Sequence, residues 1–174
     1  MGIAKKPEPV KLFAGILFKS REDLESALSK LEDAFGSIEE KTPVTLFCYT
    51  RYYDKEMGEN LMRAFVLFET LVDRELLPEI KLKSNEVEQS FALEGRRSVN
   101  IDPGYIALEH VILATTKGYS HRVYLGRGIY ADLTLRYHEG TYKALEWTYP
   151  DYRATETITM FNGWRDRYRK GLRC

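Results

Sequence analysis

Residues 10–36 read VKLFAGILFKSREDLESALSKLEDAFG, and the change of period inside them decides the fold class. Val10 to Phe18 is apolar at odd and even positions alike, which suits a strand covered on both faces and central in its sheet. From Ser20 the pattern turns helical. Leu24, Ala27, Leu28, Leu31 and Phe35 share one stripe, Ser20 stands three residues before Asp23 as in a capping box, and Gly36 follows the last apolar position. The spacing predicts a helix over 21–35 that packs back on the strand before it.

Downstream, Lys41-Thr42-Pro43 reads as a turn into a second strand, Val44 to Tyr49, rich in β-branched and aromatic side chains. TRYYDKEMGEN (50–60) follows as a loop, and Ala64 to Val72 (AFVLFETLV) as a third strand. Pro78 suits the first turn of a second helix, with Ile80, Val87 and Phe91 near one face. Beyond Arg97 the period becomes two. Val99 and Ile101, Val111 and Leu113, Val123 and Leu125, and Ile129 to Leu135 mark short strands. The breaks between them are Asp102-Pro103-Gly104, Lys117-Gly118, Gly126-Arg127-Gly128 and Glu139-Gly140. Ala154 to Gly171 reads as a terminal helix with Ile158, Phe161, Trp164 or Arg165, and Tyr168 along one side, and with Thr155 or Asp151 as its cap. One strand–helix–strand unit, then consecutive strands, then a helix, is the order of an α+β protein. The sheet is mixed or antiparallel with helices packed on one face, in form a ferredoxin-like core with an elaborated C-terminal half.

A chain of 174 residues, 44% hydrophobic and 30% charged, is the size and composition of a single globular domain. Lys plus Arg and Asp plus Glu both number 26, so there is no basic excess of the kind that marks a nucleic-acid binder. Cys48 sits in an apolar run and reads as a small buried hydrophobe. With Cys174 as the other cysteine, neither a disulfide nor a zinc site is indicated. MGIAKKPEPV has no signal-peptide h-region, and no run of about 18 apolar residues occurs, so no membrane span is expected and a reducing cytoplasm is the simplest location.

Side chains able to do chemistry concentrate between Gly95 and Asp132. Asn100 and Asp102 point to one side if a strand persists through them, a pair suited to Mg²⁺, a water or a ribose hydroxyl; Asn and Asp also cap turns by bonding their own backbone. No cofactor is specified beyond such a divalent metal. Arg97 and Lys117 can hold an anion, with Tyr105 as a further binding residue, and His121 is the histidine placed to move a proton. Strand alternation over Ser120 to Leu125 sets His121 and Arg122 on opposite faces, so one face alone lines a pocket. No G-x-x-x-x-G-K-[ST], GxSxG or HExxH is present. The resulting expectation is a protein that binds an anionic or nucleotide-like small molecule. If it is an enzyme, Asp102 and His121 act in catalysis and Arg97, Asn100, Lys117 and Tyr105 bind the ligand. The alternative is a non-catalytic module that meets RNA or a protein through Tyr52, Tyr53 and the basic run Arg165, Arg167, Arg169, Lys170 and Arg173.

Several strings resemble a known family: YYDKEMG (52–58), SNEVE (84–88), NIDPGYI (100–106), LATTKGYSHRVYLGRGIYAD (113–132) and WTYPDYR (147–153). They are similar to the motifs of a prokaryotic family, domain of unknown function family 4416, over nearly the whole chain. The resemblance implies a stand-alone bacterial or archaeal protein of about this length, and no mechanism. Members often carry an automatic label as GTP-binding proteins, against which stands the missing P-loop.

Overall fold

The structure is a computed structural model and describes residues 2–172, so Arg173 and Cys174 lie outside the described residues. In chain order the elements are β1 (Val10–Phe18), α1 (Arg21–Phe35), β2 (Ile38–Lys41), β3 (Thr45–Leu46), α2 (Asp54–Met57) and β4 (Met62–Val72). Then come α3 (Leu77–Gln89), β5 (Ala92–Leu93), β6 (Arg96–Arg97), β7 (Val99–Ile106), β8 (His110–Thr115) and β9 (Arg122–Gly126). The chain finishes with β10 (Ile129–His138), β11 (Thr141–Ala144), α4 (Pro150–Arg153) and α5 (Thr155–Gly171).

The large sheet runs β11-β10-β8-β7-β1-β4-β2, with β3 beside β4 and β9 beside β10. Its pairs are antiparallel. Within it β1–α1–β2–β4–α3–β7 forms a βαββαβ unit with strand order β7-β1-β4-β2, the ferredoxin-like arrangement, and the later strands extend the sheet beyond β7.

Every residue of β1 is buried. Leu12, Ala14, Ile16 and Phe18 meet Leu24, Ala27, Leu28 and Leu31 of α1 and Ile80 and Val87 of α3. Phe13 faces the other way, into a cluster with Phe65, Leu67, and Phe161 and Trp164 of α5. The two core helices therefore share one face, and α5 covers part of the other. A strand apolar on both sides requires that second cover. The capping box of α1 forms as its sequence implies: Asp23 N donates to Ser20 Oγ at 3.1 Å, and Ser20 N donates to Asp23 Oδ2 at 3.2 Å.

Three local expectations are corrected. Val44 to Tyr49 is not a full strand. Only Thr45 and Leu46 pair with β4, both exposed, and the sheet edge is taken by the polar IEEK of β2. Pairing geometry overrides β propensity there. Cys48, in the same segment, is exposed rather than buried. Neither Thr155 nor Asp151 caps α5, whose N-cap is Ala154 with no side-chain bond.

Asp102-Pro103-Gly104 is not a turn either; it lies inside β7, paired with Gly15, Ala14 and Phe13 of β1. The β7–β8 ladder covers Gly104 to Ile106 only, so it ends beside Pro103, which has no N–H to offer. On the N-terminal side of Gly104, β7 is not paired with β8. Gly104 holds the paired end close, since a Cβ there would run into the Ile112 carbonyl.

Candidate functional site

The sheet positions the site. Alternation puts Gly15 and Leu17 of β1, Arg63 of β4, Asn100 and Asp102 of β7 and Asp132 of β10 on the open face. Phe47 to Tyr53 and Tyr149 to Tyr152 close over it. Between them lies a cavity of about 480 Å³.

Arg63 is the centre of the floor. Its side chain is 5% exposed, with Nη2 at 2.8 Å from Asp151 Oδ2 and Nη1 at 3.5 Å from Asp102 Oδ2. The guanidinium lies 4.6 Å from the Phe65 ring centre and 5.2 Å from that of Tyr152. It can reach across β1 because residue 15 is glycine. A Cβ there would stand 2.7 Å from the Tyr152 hydroxyl and 2.8 Å from Arg63 Nη2. The polar network is incomplete: Arg63 Nε and the Tyr152 hydroxyl are buried with no hydrogen-bond partner, and the Nη2–Asp151 contact is an ion pair off line for a hydrogen bond. Unsatisfied buried polar groups are rare enough in folded proteins to mark a site.

Burial pushes the Asp151 carboxyl above its usual range, with Asp102 adding to the rise and Arg63 opposing it. Burial likewise pushes the Tyr53 and Tyr152 hydroxyls up, so both remain neutral. Because the native carboxyl of Asp151 holds its proton more tightly than the unfolded one, its contribution to stability is full below the unfolded pKa and is lost as pH rises through the folded one. Asp151→Asn is therefore expected to flatten the stability profile above about pH 4, read by urea denaturation at successive pH values. An unchanged slope would contradict this.

Asp102 Oδ2 accepts from Asn100 Nδ2 at 3.0 Å, so Asn100, itself buried, orients the carboxylate from behind. Asp132 is 2% exposed and accepts from Arg122 Nε at 2.8 Å. Arg122 also donates to the Tyr149 hydroxyl at 2.7 Å and to the Lys117 carbonyl at 2.9 Å, tying the walls together. At the mouth Lys117 Nζ donates to the Tyr52 hydroxyl at 2.5 Å.

Of the residues singled out from sequence, Asp102 and Lys117 line the cavity and Asn100 supports it. His121 stands outside, stacked on Trp147 at 4.9 Å and 11°, with Nε2 at 3.4 Å from Asp132 Oδ2. The separation of His121 from Arg122 is corrected: β9 begins at Arg122 and His121 belongs to the preceding turn, so both reach Asp132. Arg97 is elsewhere, ion-paired with Glu56 at 2.7 Å and with Glu88 at 2.5 Å, and Glu88 in turn accepts from Ile101 N. Burial raises the Glu88 carboxyl in spite of Lys81, the Ile101 N–H and Arg97. Tyr105 lies on the opposite face of the sheet, against Leu77 and Ile112, with its hydroxyl 3.5 Å from His110 Nε2.

Sequence reading missed Arg63, Gly15 and Asp132. Arg63 and Asp132 did carry a signal: each is a single charge at a core-facing position of an apolar strand, MRAFVLF and IYADLTL. Among the described residues no group of three or more His, Cys, Asp or Glu side chains could hold a metal ion.

Fold and site together define an α+β protein with a ferredoxin-like core whose open sheet face is roofed into a polar, aromatic-walled pocket. The chain belongs to the family described as Domain of unknown function (DUF4416), whose model matches residues 8–168. No curated protein and no solved structure matches it.

Proposed function

We propose that the protein binds a nucleotide-like small molecule in this pocket, with a planar ring among the tyrosines and an anionic group at Lys117. The observation that carries the reading is the cavity of about 480 Å³ walled by Phe47, Tyr53 and Tyr149 and floored by Arg63, Asp102 and Asp151. Ligand sites of about 300–1,000 Å³ with mostly apolar walls and a few convergent polar groups are the usual form. Tyrosine faces stack on flat heterocycles, and a rim lysine meets a phosphate without burying it.

Thermal-shift titration with nucleosides, nucleoside monophosphates and sugar phosphates tests the proposal. A saturable rise in Tm is expected with nucleotides. Lys117→Ala is expected to weaken the phosphorylated ligands about two- to fivefold while sparing the matching nucleosides, the size of one exposed charge contact. A flat response across the panel would refute the reading.

The RNA alternative is the weaker reading, because three of the five cations it names are engaged within the chain. Arg165 is buried and donates to the Leu108 carbonyl, Arg167 pairs with Glu40, and Arg169 with Asp166. A prokaryotic, cytoplasmic setting belongs to the same proposal. It is supported by the exposed free thiol of Cys48, which suits a reducing compartment, and it is compatible with the finding that no described helix is long and apolar enough to cross a membrane.

A further inference from the structure

We infer that the deep end of the pocket selects a ring bearing an amino or amidine-type nitrogen donor, received by Asp102, while the anionic group of the ligand stays at the mouth. The inference rests on the nucleotide-like reading above and adds the orientation and the ring chemistry.

The charges are unevenly placed. On the floor Arg63 stands between two carboxylates, Asp102 and Asp151, with side-chain exposures of 5%, 29% and 9%. The third lining carboxylate, Asp132, has its own cation in Arg122 at 2.8 Å. One negative charge on the floor is therefore unmatched. The other lining cation, Lys117, is exposed at the rim, its Nζ 4.6 Å from the Tyr52 ring centre. An anion driven to the floor would lose its hydration against two carboxylates, which is costly; an N–H donor placed there gains a charge-assisted bond.

Asp102 is the group able to receive it. It is the most exposed of the three floor side chains, and its Oδ2 already takes both Asn100 and Arg63, which leaves Oδ1. An amino-substituted heterocycle carries an exocyclic N–H donor, and that group matches an open carboxylate oxygen. The lactam rings of hypoxanthine and uracil carry a ring N–H beside a carbonyl oxygen, whose lone pair would be set against Asp102.

Calorimetric titration with AMP and GMP against IMP, and with CMP against UMP, tests this on the wild-type protein and on Asp102→Asn. The amino-bearing member of each pair is expected to bind about tenfold tighter or more to the wild type. Asp102→Asn, which offers an N–H where the carboxylate accepts, is expected to bring the ratio to about one. Lys117→Ala is expected to weaken all five by a common factor and leave the ratios alone. Equal affinities within the pairs on the wild type would overturn the inference and leave the nucleotide reading standing. No binding by any of the five would overturn both. A changed ratio in Lys117→Ala would overturn the orientation. Should Asp102→Asn fail to fold, the wild-type ratios decide by themselves.

Discussion

Replacing Arg63 by leucine is expected to destabilise the protein by about 3–5 kcal/mol, the range for removing one partner of a buried ion cluster. The side chain is 5% exposed and stands between Asp102 and Asp151, so its loss leaves two carboxylates facing each other with no cation between them. The comparison that isolates the charge is the double variant Arg63→Leu/Asp151→Asn, expected to recover a substantial part of the loss. Acidification should shrink the deficit of the single variant as well, because protonating Asp151 removes the repulsion. Urea denaturation at about pH 5 and pH 7 reads both effects. A deficit near zero that does not change with pH would show that Arg63 is not balancing these carboxylates.

Gly15→Ala is expected to cost about 1–3 kcal/mol through overpacking and to abolish ligand binding. The added Cβ would stand 2.7 Å from the Tyr152 hydroxyl and 2.8 Å from Arg63 Nη2, and both neighbours are buried and held by the same cluster. The guanidinium would have to withdraw from Asp151 to make room. Gly163→Ala provides the contrast. That position lies within α5 with nothing within 4 Å of the new Cβ, so the same chemical change is expected to stabilise by about 0.5–1 kcal/mol. Thermal melts of the two variants, with titration of a nucleotide that binds the wild type, give the readout. A Gly15→Ala protein as stable as the wild type would mean that the floor tolerates a side chain.

The clash at Gly15 also shows where local reasoning stops. In VKLFAGILF the glycine is one small residue in an apolar run, and the absence of a P-loop leaves it without a nucleotide-binding role. Its importance comes from Arg63, opposite Leu17 one strand away, and from Tyr152, which arrives from the far end of the chain. Asp102 went the other way. Asp-Pro-Gly has turn chemistry wherever it stands, yet β1 pairs with all three residues and the proline acts by ending the ladder to β8. The separation of His121 from Arg122 failed for a related reason, since it assumed a strand beginning two residues before the observed one.

By itself the sequence determined the α+β class, the central position of β1, and the helix from Arg21 to Phe35 with its cap. Those features follow from period, capping and the two-sided burial of one strand, all of which act between residues close in the chain. The tertiary structure alone decided which polar groups share a cavity. It joined Arg63 to Asp102 across 39 positions, brought Asp151 and Asp132 to the same face, and sent Arg97 and Tyr105 elsewhere. Convergence of that kind depends on strand register and on which element roofs the open face, and a one-residue change in register would turn Arg63, Asp102 or Asp132 to the other side.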